Sequence, residues 1–207
     1  MIPRPSLAPA LALLGALALT GCGSARFATD YADVVDAETA RGWTVTEVDV
    51  TVPRTLTVSE ENSYAPEADI VWRGEPRGDR YAQVDRIITE AAEAGARALT
   101  GPRPVRLEID VLRFHALTER ARYTLNNAGV HDILFTAQVV DAGTGQPLTP
   151  PDRVQADLIA YSGKDALEAE ARGETQRVRI VAHVTEVIAG WLGAGPDPRG
   201  SFTRLGR

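Results

Sequence analysis

One cysteine, three histidines and a scatter of carboxylates are the groups in this 207-residue chain from which chemistry could be built. Cys22 is the only thiol and follows Leu19-Thr20-Gly21 at the end of an apolar run. The histidines stand at 115, 131 and 183, and no pair has the spacing of a metal site such as His-x-x-x-His. His183 falls beside the inner face of an expected helix, and His115 and His131 fall at expected strand ends. Structural or solvated roles are expected for all three, with no metal and no cofactor. Ser59 and Ser63 lack the strand-turn-helix setting of a nucleophile elbow. Gly143-Thr144-Gly145 reads as a turn, not as a phosphate loop or dinucleotide fingerprint. Glu60 adjoins Glu61, and Glu90 and Glu93 share a helix face. General acid–base work needs two carboxyls converging in a cleft with separated pKa values, and no spacing here implies convergence. The residue types point away from an enzyme.

A second constellation is basic and aromatic. Trp72, Arg73, Arg77 and Arg80 lie close in sequence, as do Arg113, His115, Arg120, Arg122 and Tyr123. If the 73–80 loop sits beside the end of the 105–115 strand, these residues form a positive patch. Such a patch could meet lipid headgroups, lipopolysaccharide phosphates or an acidic partner. The alternative is salt bridging to Glu75, Asp79, Asp110 and Glu119. The tripeptide Arg77-Gly78-Asp79 is not read as an adhesion signal, because Asp79 is well placed to cap a helix.

Residues 1–21 have the parts of an export signal: Arg4, then an uncharged run from Leu7 to Leu19, then the small pair Thr20-Gly21. The run is too short for a membrane-spanning helix, which needs about 20 residues. Its ending resembles the lipobox of bacterial lipoproteins, which is Leu, two small residues, then Cys. The resemblance implies diacylglyceryl transfer to the Cys22 sulfur, cleavage before it and acylation of the new amine. Stable tethering needs two or more acyl chains, at about 0.8 kcal/mol per buried methylene. The alternative is an ordinary secretory signal with a chance cysteine. Gly23 stands where enteric-type sorting reads Asp as inner-membrane retention. The expected address is therefore the outer membrane, facing the periplasm, with inner-membrane retention as the other outcome.

Removing the signal leaves a length that suits one domain. All 28 acids and 21 of the 22 basic residues then remain, and that net acidity argues against nucleic acid as the main partner. With Cys22 lipidated no internal disulfide can form, so stability must come from packing.

The elements that position these residues follow from periodicity. Residues 22–42 are expected to be the lipidated N-terminus and linker, with a short amphipathic helix or a spacer around Phe27, Tyr31, Val34 and Val35. Val48, Val50 and Val52 alternate with Asp49 and Thr51, predicting a strand interrupted at Pro53. Residues 59–68 read as a loop and Ile70-Val71-Trp72 as a short strand. Asp79 opens a helix running to about Leu99, with Tyr81, Val84, Ile88, Ala91, Gly95 and Ala98 as its stripe and close packing on a sheet. Val105, Leu107, Ile109 and Val111 alternate with Arg106, Glu108 and Asp110 in a half-buried strand that could extend towards Tyr123. Ile133, Phe135, Ala137 and Val139 share one face of the next strand. Residues 141–145 form a hairpin turn, and Val154, Ala156, Leu158 and Ala160 a further strand. A helical turn at 166–171 precedes a second long helix over 175–192. Residues 194–207 read as a loose tail. The expectation is one α+β domain over 43–193, a two-layer, mainly antiparallel sheet with two amphipathic helices on one face.

With these segments in place, the mature chain resembles a family of small envelope lipoproteins of alphaproteobacteria that has no assigned activity. The resemblance rests on Val52-Pro53-Arg54, Val58-Ser59-Glu60, Asp69-Ile70-Val71-Trp72-Arg73, Gly78-Asp79-Arg80 and Ala82-Gln83-Val84. It continues through Arg113-Phe114-His115-Ala116-Leu117-Thr118-Glu119 and Ala121-Arg122-Tyr123. The layout is distantly similar to auxiliary outer-membrane lipoproteins of lipid-trafficking transporters, a likeness of fold and address alone. The expected role is non-enzymatic contact with an envelope protein, with the membrane held through the N-terminal lipid. The alternative is a module that binds a lipid or other amphipathic ligand. A hydrolase of envelope polymers comes third.

Overall fold

Alternation of apolar and charged side chains makes residues 103–115 the spine of the molecule. The computed structural model describes residues 35–201. In order, the elements are α1 (Ala37–Ala40), β1 (Trp43–Thr51), β2 (Ile70–Val71), α2 (Arg80–Ala96), β3 (Arg103–His115), α3 (Glu119–Thr124), β4 (Val130–Asp141), β5 (Asp152–Gln155), β6 (Leu158–Ile159), α4 (Lys164–Ala171) and α5 (Gln176–Trp191), then a 3₁₀ turn over Pro198–Ser201. The sheet order is β1-β3-β4-β5, with β2 also on β3 and β6 also on β4.

The fold is α+β. β4 is antiparallel to β3, β5 and β6, as short connections favour. β1 and β2 instead run parallel to β3, because the chain crosses over through α2 between them. The fold is thus mainly antiparallel with a parallel flank. Two register shifts, at Thr46 in β1 and at Leu112 in β3, let apolar residues on both sides of each bulge face the same core.

That core lies between the sheet and two helices. Val105, Leu107, Ile109 and Val111 from β3, with Ile133, Phe135, Ala137 and Val139 from β4, meet Val84, Ile87, Ile88, Ala91 and Ala92 of α2. They also meet Ile180, Val184, Val187 and Ile188 of α5. Full burial of each larger aliphatic side chain contributes roughly 1.5–3 kcal/mol. Gly95 does not meet the sheet as expected. It faces α5, where a Cβ would lie 2.7 Å from the Thr185 carbonyl oxygen and 3.1 Å from Ile188, so this glycine sets the helix–helix spacing. Ala98, expected on the inner stripe, is exposed.

Three segments depart from the periodicity. The strand expected over 154–160 splits into β5 and β6, because the Asp157 carboxylate accepts from the Ile133 N–H and the Gln155 amide at 3.3 and 2.6 Å. β3 does not extend towards Tyr123; the Thr118 hydroxyl accepts from the Ala121 N–H and starts α3. The described part of the expected loose tail is packed: Arg199 is buried and paired with Asp197 at 2.6 Å. At the other end, Val35 N–H donates to the Trp191 carbonyl, so residues 35–42 dock on the domain. Residues 1–34, on which the expected signal and lipid attachment at Cys22 fall, and residues 202–207 lie outside the described residues.

Candidate functional site

The basic and aromatic residues gather around the end of β3 because β2 pairs there, Ile70 with Phe114 and Val71 with His115. That pairing brings the 73–80 loop beside the strand end, as the patch requires. Most of the charges, however, are neutralised. Residues 57–59 hydrogen-bond back to Asp69 and Ile70 and place Glu60 between two arginines. Arg80 grips Glu60 with two N–H groups at 2.7 and 3.1 Å, and donates to the Gln83 side chain at 2.6 Å and to the Glu75 and Pro76 carbonyls. Its side chain is only 4% exposed. Arg73 bridges Glu60, at 3.6 Å, to Glu119. The Arg80 hydrogen bond is the main cause holding the Glu60 carboxyl below its usual range. For Glu119, burial pushes upward but the Arg73 bond and the positive field outweigh it. This pairing realises the salt-bridge alternative, with Glu60 as its hub in place of Asp79 and Asp110; Asp79 pairs with Arg54 instead.

Trp72 lies inside the molecule, fully buried, edge-on to Phe114 at 5.6 Å between ring centres. Gly74 lets the chain pass over its ring, for a Cβ there would come within 2.3 Å of it. Trp72 therefore cannot line a docking surface, and neither can buried Arg80. Arg122 is also buried, paired with Glu170 at 2.6 Å, and the Tyr123 hydroxyl donates to the same carboxylate. Arg113 pairs with Asp132 at 3.0 Å, while Arg120 stacks over Tyr64 at 4.7 Å. His115 is half-buried, and burial lowers its pKa. Arg77 is exposed and adds only field at Glu60. The residues thus form three separate groups: Arg73, Arg77 and Arg80 around Glu60; Arg113 and His115 near Asp132; and Arg122 and Tyr123 on Glu170.

A buried polar cluster lies elsewhere, under the first half of α5. His131 is on the same face of β4 as Ile133 and Phe135, is 1% exposed, and neither ring nitrogen has a hydrogen-bond partner among the described residues. Burial, aided by the charges of Arg179 and Arg122, lowers its pKa from 6.5 to about 3. Gln176, Arg179 and His183 stand at i, i+3 and i+7 on α5. The Gln176 Oε1 and His183 Nε2 atoms are buried without partners. Arg179 stacks on Tyr161 at 3.5 Å and donates to the Ile159 carbonyl. His131 is the second residue of β4, at a strand end as expected, but it is buried there. Its two-residue register with Ile133 was the available sign that it points inward. At neutral pH the cluster holds neutral imidazoles beside two arginines. Among the described residues, no group of three His, Cys, Asp or Glu is placed to hold a metal ion.

The polar residues of the sheet occupy the face opposite α2 and α5. Glu47, Asp49 and Thr51 of β1 pair with Arg106, Glu108 and Asp110 of β3, which pair with Val140, Gln138 and Thr136 of β4. Arg106 bonds Glu108 at 2.6 Å and reaches Glu47 at 3.8 Å.

A family model described as a family of unknown function, DUF6778, matches residues 43–207. No curated protein matches the chain. One solved structure with a detectable likeness is of a candidate lipoprotein from Caulobacter crescentus CB15. It shares 13% identity over 75% of this chain and 94% of that one, at a TM-score of 0.31, too low to carry an argument.

Proposed function

We propose that the chain, which belongs to DUF6778, a family of unknown function, is a lipid-anchored protein of the cell envelope whose domain acts by contact with another protein rather than by catalysis. The observation that carries the anchor is Cys22: the sole cysteine directly follows Leu19-Thr20-Gly21 at the end of a charge-free run. The proposed address is the outer membrane, facing the periplasm. Two features of the domain support contact. Arg73, Arg80 and Arg122 near the strand end are committed to Glu60, Glu119 and Glu170 within the fold, and carboxylates so engaged favour contact over catalysis. The sheet face opposite the helices is polar and mixed in charge, which suits a protein surface better than a lipid. The space between sheet and helices is filled by Leu107, Ile109, Phe135 and Ile188, each at most 1% exposed, and this favours contact over carriage of an amphipathic ligand. Cell fractionation tests the reading. The parent chain should sediment with outer membranes, and Cys22→Ala should accumulate as uncleaved precursor. Normal processing of that variant would overturn the anchor.

A further inference from the structure

We propose that the free edge of β1 is a strand-addition site for an extended, basic segment of a partner protein. This inference rests on the reading above that the domain acts by protein contact, and it names the surface and the chemistry. β3 pairs with β1 along one side for nearly its whole length. On the other side, among the described residues, the pairing is a single bridge from Thr44 to Thr100 with the Gly101 N–H on the Trp43 carbonyl. From Glu47 to Thr51 every second N–H and C=O therefore points away from the sheet with no backbone partner among the described residues, a template that another strand can complete.

The opposite edge of the sheet is different. It consists of β5 and β6, of four and two residues, behind Pro150 and Pro151, the short and proline-flanked form that resists pairing. β1 has nine residues. The bulge at Thr46 and Pro53 bracket its free stretch, leaving about the length of a short added strand.

Beside β1 runs a groove of about 410 Å³ between the strand and the end of α2, lined by Val45, Val48, Ala96, Leu99, Glu93 and Arg97 among others. An added strand would place alternate side chains on opposite faces. One set would enter this groove against Val48 and Ala96. The other set would lie beside Glu47 and Asp49, which are exposed. Apolar residues fit the first set and lysine or arginine the second. A second copy of this chain is a poor occupant: a two-fold pairing of β1 centred on Val48 sets Glu47 directly opposite the other Asp49, and like charges repel there.

The probe is an end-blocked, fluorescent octapeptide of alternating lysine and valine, titrated into the full chain in detergent and read by anisotropy. Saturable binding is expected, weakened about fivefold or more by the double variant Glu47→Lys, Asp49→Lys. Two N-methylated peptides then separate strand pairing from charge adsorption without any protein variant. An added strand turns only alternate N–H groups to β1, so methylation of one set should abolish binding and methylation of the other should leave it. No saturable binding, equal binding of both methylated peptides, or indifference to the charge reversal would each overturn the proposal. Photo-crosslinkers at Asp49, and separately at Arg113 and Arg77, are then compared in intact cells. Protein adducts at Arg113 or Arg77 but none at Asp49 would refute the β1 edge while leaving the contact reading intact. No adducts at any of the three would refute both.

Discussion

Replacing His131 with leucine should remove much of the domain's sensitivity to mild acid. In the folded state burial holds His131 neutral down to about pH 3, against an ordinary value of 6.5. The folded pKa of this base is below the unfolded one, so as pH falls through 6.5 the unfolded chain takes up a proton that the native chain refuses. Stability therefore falls with falling pH across the window from 6.5 to about 3, by about 1.4 kcal/mol per unit once below 6.5. Between pH 7.5 and 5.0 the loss from this one group is about 2 kcal/mol, or roughly 4–8 °C in Tm for a domain of this size. Burial depresses His183 in the same direction. Arg179 and Arg122 face His131 and add to the cost of charging it. At pH 7.5 His131→Leu should be more stable by about 1 kcal/mol, since it deletes two buried nitrogens that have no partner. Urea melts of parent and variant at the two pH values give the difference directly, because contributions from the carboxylates cancel. Equal loss of stability in both proteins on acidification would refute the burial argument.

Gly95→Ala should destabilise by about 1–3 kcal/mol, read from the denaturation midpoint, because its methyl group meets the Thr185 carbonyl and Ile188 of α5. Trp72→Ala should cost about 3–5 kcal/mol by the same assay, as expected for a large ring removed from the core. Thr118→Ala removes the cap of α3 and the bond to the Ser63 carbonyl. It should cost about 1–2 kcal/mol and speed amide exchange in α3. Glu60→Gln should cost about 1–3 kcal/mol at neutral pH by leaving the buried Arg80 guanidinium without its counter-charge. The Glu60 contribution is fully present above 4.5 and is lost as pH falls through its depressed folded pKa, so its acid window opens at lower pH than that of His131.

How much of this could be read from the sequence depended on how local the cause was. Asp79 caps α2 through the Ala82 N–H, and the inward residues of β3 are those the alternation marked. Both follow from spacing within a few residues. The parallel pairing of β1 with β3 does not, because it depends on where α2 returns the chain. Glu119, a partner of Arg73, was among the carboxylates expected from sequence, but the pairing of Glu60 with Arg73 and Arg80 was hidden for the same reason: Glu60 reaches them only once Thr57 and Ser59 bond back to Asp69 and Ile70. Trp72, next to an arginine and a glycine-rich loop, looked like surface. Its burial follows from β2 sitting against Phe114. His131 could have been placed inward from its two-residue register with Ile133, a cue that its polarity obscured.

The anchor at Cys22 is the claim from which the proposed role follows, and mass spectrometry of the mature N-terminus tests it most directly. Digestion of the membrane-purified protein with trypsin should release the peptide covering residues 22–26 with a diacylglyceryl thioether on Cys22 and nothing preceding it. An unmodified Cys22, or a chain that still carries residues 1–21 in the steady-state pool, would contradict the account.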